Sequence, residues 1–149
     1  MRVAFAGDHH GVAMKSQLIA VAQAAGHQTL DLGANDTQPS DYPDFARAIG
    51  AALRDGQADR GVLLCGSGVG ASVAANKIDG VRAGLCHDVY SAHQGVEHDD
   101  CNVLCLGTRV VGPALAEELM LAFLGARFSG EERHRRRLGK VAEIERERR

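Results

Sequence analysis

The 149-residue chain contains no tryptophan, three prolines and no large excess of either charge: 19 acidic against 17 basic residues give a formal net charge of −2. Composition therefore supplies no global field that would draw nucleic acid or an acidic surface. No stretch approaches the roughly 18 apolar residues of a membrane span, and the apolar start Met1-Arg2-Val3-Ala4-Phe5-Ala6-Gly7 meets Asp8 and His9 too soon for a secretory leader. A soluble cytoplasmic protein is expected. Metal-site spacings are missing too: there is no Cys-x-x-Cys and no His-Glu-x-x-His, and Cys101 and Cys105 would point to opposite ends of one strand. Neither a metal nor another cofactor is expected. Cys65, Cys86 and Cys105 sit in or at the end of strand-like segments, as small buried residues or site thiols do, which argues against a disulfide framework. Repeats, low-complexity linkers and composition breaks are also absent, so residues 1–149 read as one domain large enough to bury its own core.

What is present is alternation. Short apolar runs at Arg2 to Ala6, Gln28 to Leu32, Gly61 to Cys65, Arg82 to Cys86 and Asn102 to Leu106 read as strands. Between them lie apolar stripes of helical period. Met14, Leu18, Val21, Ala22 and Ala25 form one, stopped by Gly26; Phe45, Ile49, Ala52 and Leu53 form a second, between Pro43 and Gly56; Leu115, Leu119, Ala122 and Phe123 form a third, between Pro113 and Gly125. Repeated βα units of this kind build a parallel sheet covered by helices on both faces. The tail from Glu131 to Arg149 carries eight Lys or Arg and five Glu, with Leu138, Val141 and Ile144 as its apolar minority. It reads as a helix laid on a surface, a partner subunit's for instance.

In such sheets ligands bind beyond the carboxyl ends of the strands, so the residues that follow each strand carry the chemistry. Asp8, His9 and His10 follow the first strand, Cys65 and the turn Gly66-Ser67-Gly68-Val69-Gly70 the third, His87 and Asp88 the fourth, and His98, Asp99 and Asp100 precede the fifth. Four crossings of one sheet edge are thus expected to supply a thiol, imidazoles and carboxylates. The glycine turn opens a helix expected from Ala71, and its amides suit a phosphate, an oxyanion or plain close packing. It lacks a P-loop lysine, and its third glycine comes one residue early for a dinucleotide fingerprint, which disfavours a nucleotide. A helix start stabilises thiolate over thiol, so Cys65 suits a nucleophile or a base. Arg133 and Arg137, four apart, share a helical face and can converge on an anion, with Arg109 as a third arm; the alternative is a solvated charged face.

Taken together, several motifs resemble the ribose-5-phosphate isomerase B and galactose-6-phosphate isomerase family. They are Gly7-Asp8-His9-His10-Gly11, Asp41-Tyr42-Pro43, Cys65-Gly66-Ser67-Gly68-Val69-Gly70, Ala74-Ala75-Asn76-Lys77, Asn102-Val103-Leu104, Gly107-Thr108-Arg109-Val110-Val111-Gly112, and Arg133-His134 ahead of Arg137. The resemblance spans nearly the whole chain. It implies a Rossmann-like three-layer αβα sandwich with a five-stranded parallel sheet, and a homodimer, open to further pairing into a tetramer, whose active sites lie at the subunit interface. It also implies metal-free aldose-ketose isomerisation of a phosphorylated sugar. Cys65 matches the catalytic base, His98 the residue that helps open the sugar ring with Asp8 assisting, and Ser67 a group at the reacting oxygens. His9, Arg133 and Arg137 match phosphate contacts, Arg109 a further ligand contact, and Gly66 to Gly70 the amides that hold the enediolate; Tyr42 is placed in the substrate site by its motif. Two departures stand out. Asp99 occupies a place where the family often has asparagine, and an ionised carboxylate cannot donate the hydrogen bond an amide gives. Glu131-Glu132 replaces glycines common before Arg133. A non-catalytic binding module and an RNA-binding tail are the rival classes; the first ignores Cys65 and His98, and glutamates dilute the field the second needs.

Overall fold

The computed structural model describes residues 1–148. Five parallel strands, β1 (Arg2–Gly7), β2 (Gln28–Asp31), β3 (Arg60–Cys65), β4 (Ala83–Leu85) and β5 (Val103–Gly107), form one sheet in the order β2-β1-β3-β5-β4. The helices are α1 (Val12–Ala24), α2 (Tyr42–Arg54), α3 (Val69–Ala75), α4 (Val89–Asp99), α5 (Pro113–Gly125) and α6 (Glu132–Glu147).

Alternation along the strands divides the core in two. Val3 and Phe5, Val62 and Leu64, Leu104 and Leu106 face one way and bury against Leu18 of α1, Val96 of α4 and Leu119, Met120 and Phe123 of α5. Ala4 and Ala6, Leu63 and Cys65, Val103 and Cys105 face the other way, against Ile49 of α2 and Ala71 and Ala75 of α3. The three-layer αβα sandwich follows from this, each fully buried Leu or Phe contributing about 1.5–3 kcal/mol. The second face is lined by smaller residues, and α2 lies close to it: a Cβ on Gly61 would stand 2.7 Å from Ile49 Cγ2.

The strands fall within a residue or two of their expected bounds. Gly26 (φ +88°) and Gly56 (φ +68°) follow the ends of α1 and α2 in the left-handed conformation that stops a helix. Gly125 differs: it is the last helical residue, and the chain leaves α5 extended at Ala126. The glycine-turn helix starts at Val69 and not at Ala71, because Gly68 is itself the N-cap, at φ +77°.

The larger correction is α4, which carries only Ala92 and Val96 into the core and is capped by Asp88, whose carboxylate accepts the Ser91 N–H at 2.7 Å. It starts beyond the carboxyl end of β4 and returns the chain to the amino end of β5, about 16 Å of helix. His98, Asp99 and Asp100 therefore lie at the opposite edge of the sheet from Cys65, so the expected single edge with four chemical crossings does not exist within one chain. The tail is helical as expected. His134 of α6 is buried, whereas Val141 and Ile144 are 52% and 59% exposed, and Glu145 Oε1 accepts the Gly80 N–H at 2.6 Å. Arg149, the last residue of that expected tail, lies outside the described residues.

Candidate active site

Chain direction across the sheet reverses between β1 and β3, since β2 lies outside β1 while β5 and β4 lie beyond β3. A crevice forms at the carboxyl ends of strands at such a switch point. Here it is a cavity of about 330 Å³ lined by Asp8, His10, Tyr42, Cys65, Gly66, Ser67, Gly70, Arg109 and Val110. Seven of the expected site residues meet in it: Asp8, Tyr42, Cys65, Gly66, Ser67, Gly70 and Arg109.

Cys65 ends β3 almost fully buried, and its Sγ accepts the Gly68 N–H at 3.1 Å. A donor aimed at the sulfur is what a thiolate needs. The other thiols lack such a role: burial pushes those of Cys86 and Cys101 up to about 11 and that of Cys105 higher still. All four cysteines are free. The turn is held by close backbone approach. A Cβ on Gly68 would stand 2.6 Å from Leu85 Cδ1 and 2.9 Å from Gly107 N, and one on Gly107 only 2.4 Å from the Ser67 carbonyl carbon and oxygen. Loop amides after β5 zip onto it, Thr108 N–H donating to Cys65 O at 3.0 Å and Arg109 N–H to Gly66 O at 2.9 Å. Tyr42 lies over Gly70, where a Cβ would meet its ring at 2.7 Å. Two turn amides are already engaged: that of Gly68 by the sulfur, and that of Val69 by Ser67 Oγ at 3.2 Å.

Asp8 is 5% exposed, and its Oδ1 accepts the His10 N–H at 3.0 Å. His9 stands behind His10, ring centroids 4.1 Å apart. Ser40 holds it on both sides, Oγ accepting the His9 N–H at 3.0 Å and its own N–H donating to His9 Nδ1 at 3.1 Å. With Nδ1 an acceptor, the neutral ring carries its proton on Nε2, a donor suited to an anion.

The remaining expected residues are elsewhere. His98 stacks on His134, centroids 4.0 Å apart, and Gln94 bonds its Nδ1 at 2.9 Å. Asp99 is exposed and faces a cleft with Asn76, Arg82, Cys101 and Leu138. Arg133 donates to Glu131 at 2.9 Å and holds that carboxyl below its ordinary range; Arg137 is exposed on α6. His10 was placed at this edge from sequence without a role, and Ser40 was not placed in the site at all. The paired histidines at the exit of β1 signalled the first; nothing local signalled Ser40, which meets His9 from 31 positions away. Among the described residues, no three His, Cys, Asp or Glu side chains cluster as metal ligands, and no helix is long and apolar enough to cross a membrane.

By fold and site, then, this is an open parallel α/β protein with a thiol and a glycine turn at its switch point. It belongs to the ribose/galactose isomerase family, whose model matches residues 3–141. The chain is 40% identical over 147 residues to ribose-5-phosphate isomerase B of Escherichia coli (strain K12), covering 99% of this chain and 98% of that one. It is 37% identical over 131 residues to D-erythrulose-4-phosphate isomerase of Pectobacterium atrosepticum, covering 87% and 86%. The solved structure of Clostridium thermocellum ribose-5-phosphate isomerase B superposes with a TM-score of 0.97 at 39% identity, covering all of both chains.

Proposed function

We propose that this isomerase interconverts D-ribose 5-phosphate and D-ribulose 5-phosphate through a cis-enediolate, without a metal, as a cytoplasmic homodimer. The observation that carries the reading is the Cys65 sulfur set under the glycine turn in a pocket shared with Asp8 and Ser67. The similarity to enzymes named for ribose 5-phosphate supports the substrate.

Isomerisation moves a proton from the carbon beside a carbonyl to the neighbouring carbon, which requires one base, a cradle for the enediolate oxygens and a hold on the phosphate. Cys65 takes the carbon proton and returns it. Ser67 and the turn amides not engaged by Cys65 and Ser67 Oγ face the oxygens. His9, through Nε2–H, and Arg109 reach the phosphate from the same chain. The furanose opens first, the proton of the anomeric hydroxyl passing to Asp8 while His98 attends the ring oxygen. Because His98, Arg133 and Arg137 lie at the far edge of their own sheet, each pocket is completed by those of a second copy. The lack of an acyl-transfer triad leaves Cys65 suited to moving a proton and not to forming a covalent bond.

Cys65→Ala should abolish exchange of the substrate's C2 hydrogen with solvent; retained exchange removes Cys65 as base. A second reading, another sugar phosphate, is favoured by Asp99 and by similarity to an isomerase named for a four-carbon ketose phosphate. Specificity constants across pentose, hexose and tetrulose phosphates decide it, and a clear preference for ribose 5-phosphate eliminates the alternative.

A further inference from the structure

We infer that Gln94 is the positioning residue that sets the working tautomer of His98; the inference rests on the ring-opening role proposed above. Gln94 precedes His98 by one turn of α4, and its amide Nε2 lies 2.9 Å from His98 Nδ1. An amide nitrogen donates and does not accept, so Nδ1 is the acceptor of the pair and the neutral imidazole carries its proton on Nε2. With the amide nitrogen facing the ring, the other tautomer would set hydrogen against hydrogen across the same 2.9 Å. His134 covers one face of the ring, its plane 24° from that of His98 at a centroid distance of 4.0 Å. It is itself 1% exposed and anchored, Nδ1 lying 2.6 Å from Ser129 Oγ. With one edge and one face of His98 engaged, Nε2–H is the polar atom left to meet a sugar.

A hydrogen at that atom has a defined task. When a furanose opens, the bond from C1 to the ring oxygen breaks and its electron pair goes to that oxygen. A donor already facing the oxygen stabilises the charge it gains, whereas a nitrogen lone pair would repel it. Gln94 therefore serves ring opening and leaves the carbon-proton step, which belongs to Cys65, untouched.

Ribulose 5-phosphate separates the two steps, because its C5 oxygen is phosphorylated and cannot close a furanose. In Gln94→Leu, turnover of ribose 5-phosphate should fall about three- to tenfold, the size of one neutral hydrogen bond. Exchange of the C1 hydrogen of ribulose 5-phosphate with solvent should be unchanged. Nitrogen NMR of His98 should report the Nε2–H tautomer in the unaltered enzyme and a mixture in the variant. An Nδ1–H tautomer in the unaltered enzyme, an equal loss of both activities, or undiminished turnover of ribose 5-phosphate would each overturn the assignment. His98→Ala distinguishes this failure from that of the underlying reading. Full turnover in His98→Ala rejects the ring-opening role itself, whereas a slow His98→Ala beside an unimpaired Gln94→Leu rejects Gln94 alone.

Discussion

The carboxyl edge of the sheet and its amino edge each hold part of the proposed chemistry, and they are built differently. At the carboxyl edge, Cys65, Ser67 and Arg109 are tied to one another through the backbone: glycines let β5 and the turn approach within distances no Cβ tolerates, and main-chain bonds join the loops. At the amino edge, His98 and Arg133 stand at helix ends and are held by side chains, Gln94, His134 and Glu131. Main-chain construction suits the reacting atoms, where small displacements are costly. Long side chains on exposed helices suit reach toward another molecule.

The largest test of that division mixes the two edges. On ribose 5-phosphate, Cys65→Ala chains should be inactive alone and His98→Ala chains slow. Dissociated together and reassociated at random, half the dimers gain one intact site, restoring about a quarter of the native activity. No recovery would show that the edges do not cooperate across copies. Gly107→Ala probes the main-chain edge next. Its Cβ would lie 2.4 Å from Ser67 backbone atoms, so the turn must move, and kcat/KM should drop by about a hundredfold. Gly112→Ala, with nothing within 4 Å of the added atom, should leave it unaltered.

The side-chain edge should respond to acid. Burial first, then the neighbouring His98 and Arg133, hold His134 below the usual histidine value of 6.5. The folded state thus binds fewer protons than the unfolded chain, so this contribution to stability is complete above pH 6.5 and lost as pH falls below it. Thermal melts from neutral to mildly acidic pH should show that loss, and His134→Phe, which keeps a ring against His98, should reduce it. The smallest effect concerns Glu131, which engages Arg133, the arm proposed to hold the substrate phosphate. Glu131→Gln should lower KM for the sugar phosphate roughly two- to fivefold with kcat unchanged, the modest size expected of an exposed ion pair. An unchanged KM would mean the pair does not compete with substrate.

Much of the carboxyl edge was legible because its signals are local. Gly7-Asp8 and Cys65-Gly66-Ser67-Gly68 each join a strand to a turn, and the glycines mark where the backbone bends or comes close. The amino edge was not legible for a specific reason: α4 buries little more than Ala92 and Val96, and most of its other residues are polar, so its period is faint. With that helix unmarked, His98 reads from the sequence as sharing the sheet edge of Cys65. The Asp88 and Ser91 capping pair was the available signal, and one helix between β4 and β5 is enough to send His98 to the other edge.

The sequence by itself determined the order of the strands and of every helix but α4, the alternation that makes the sheet parallel and covered on both faces, and the chemical kinds of residue in the site. Side-chain period and the φ limits of glycine and proline are local properties, readable one segment at a time. Only the tertiary structure decided that β5 inserts between β3 and β4, that the switch point falls between β1 and β3, that Ser40 orients His9, and that Cys65 and His98 stand at opposite edges. Those are contacts between residues far apart in the chain. They depend on which faces bury together, and no single segment carries that information.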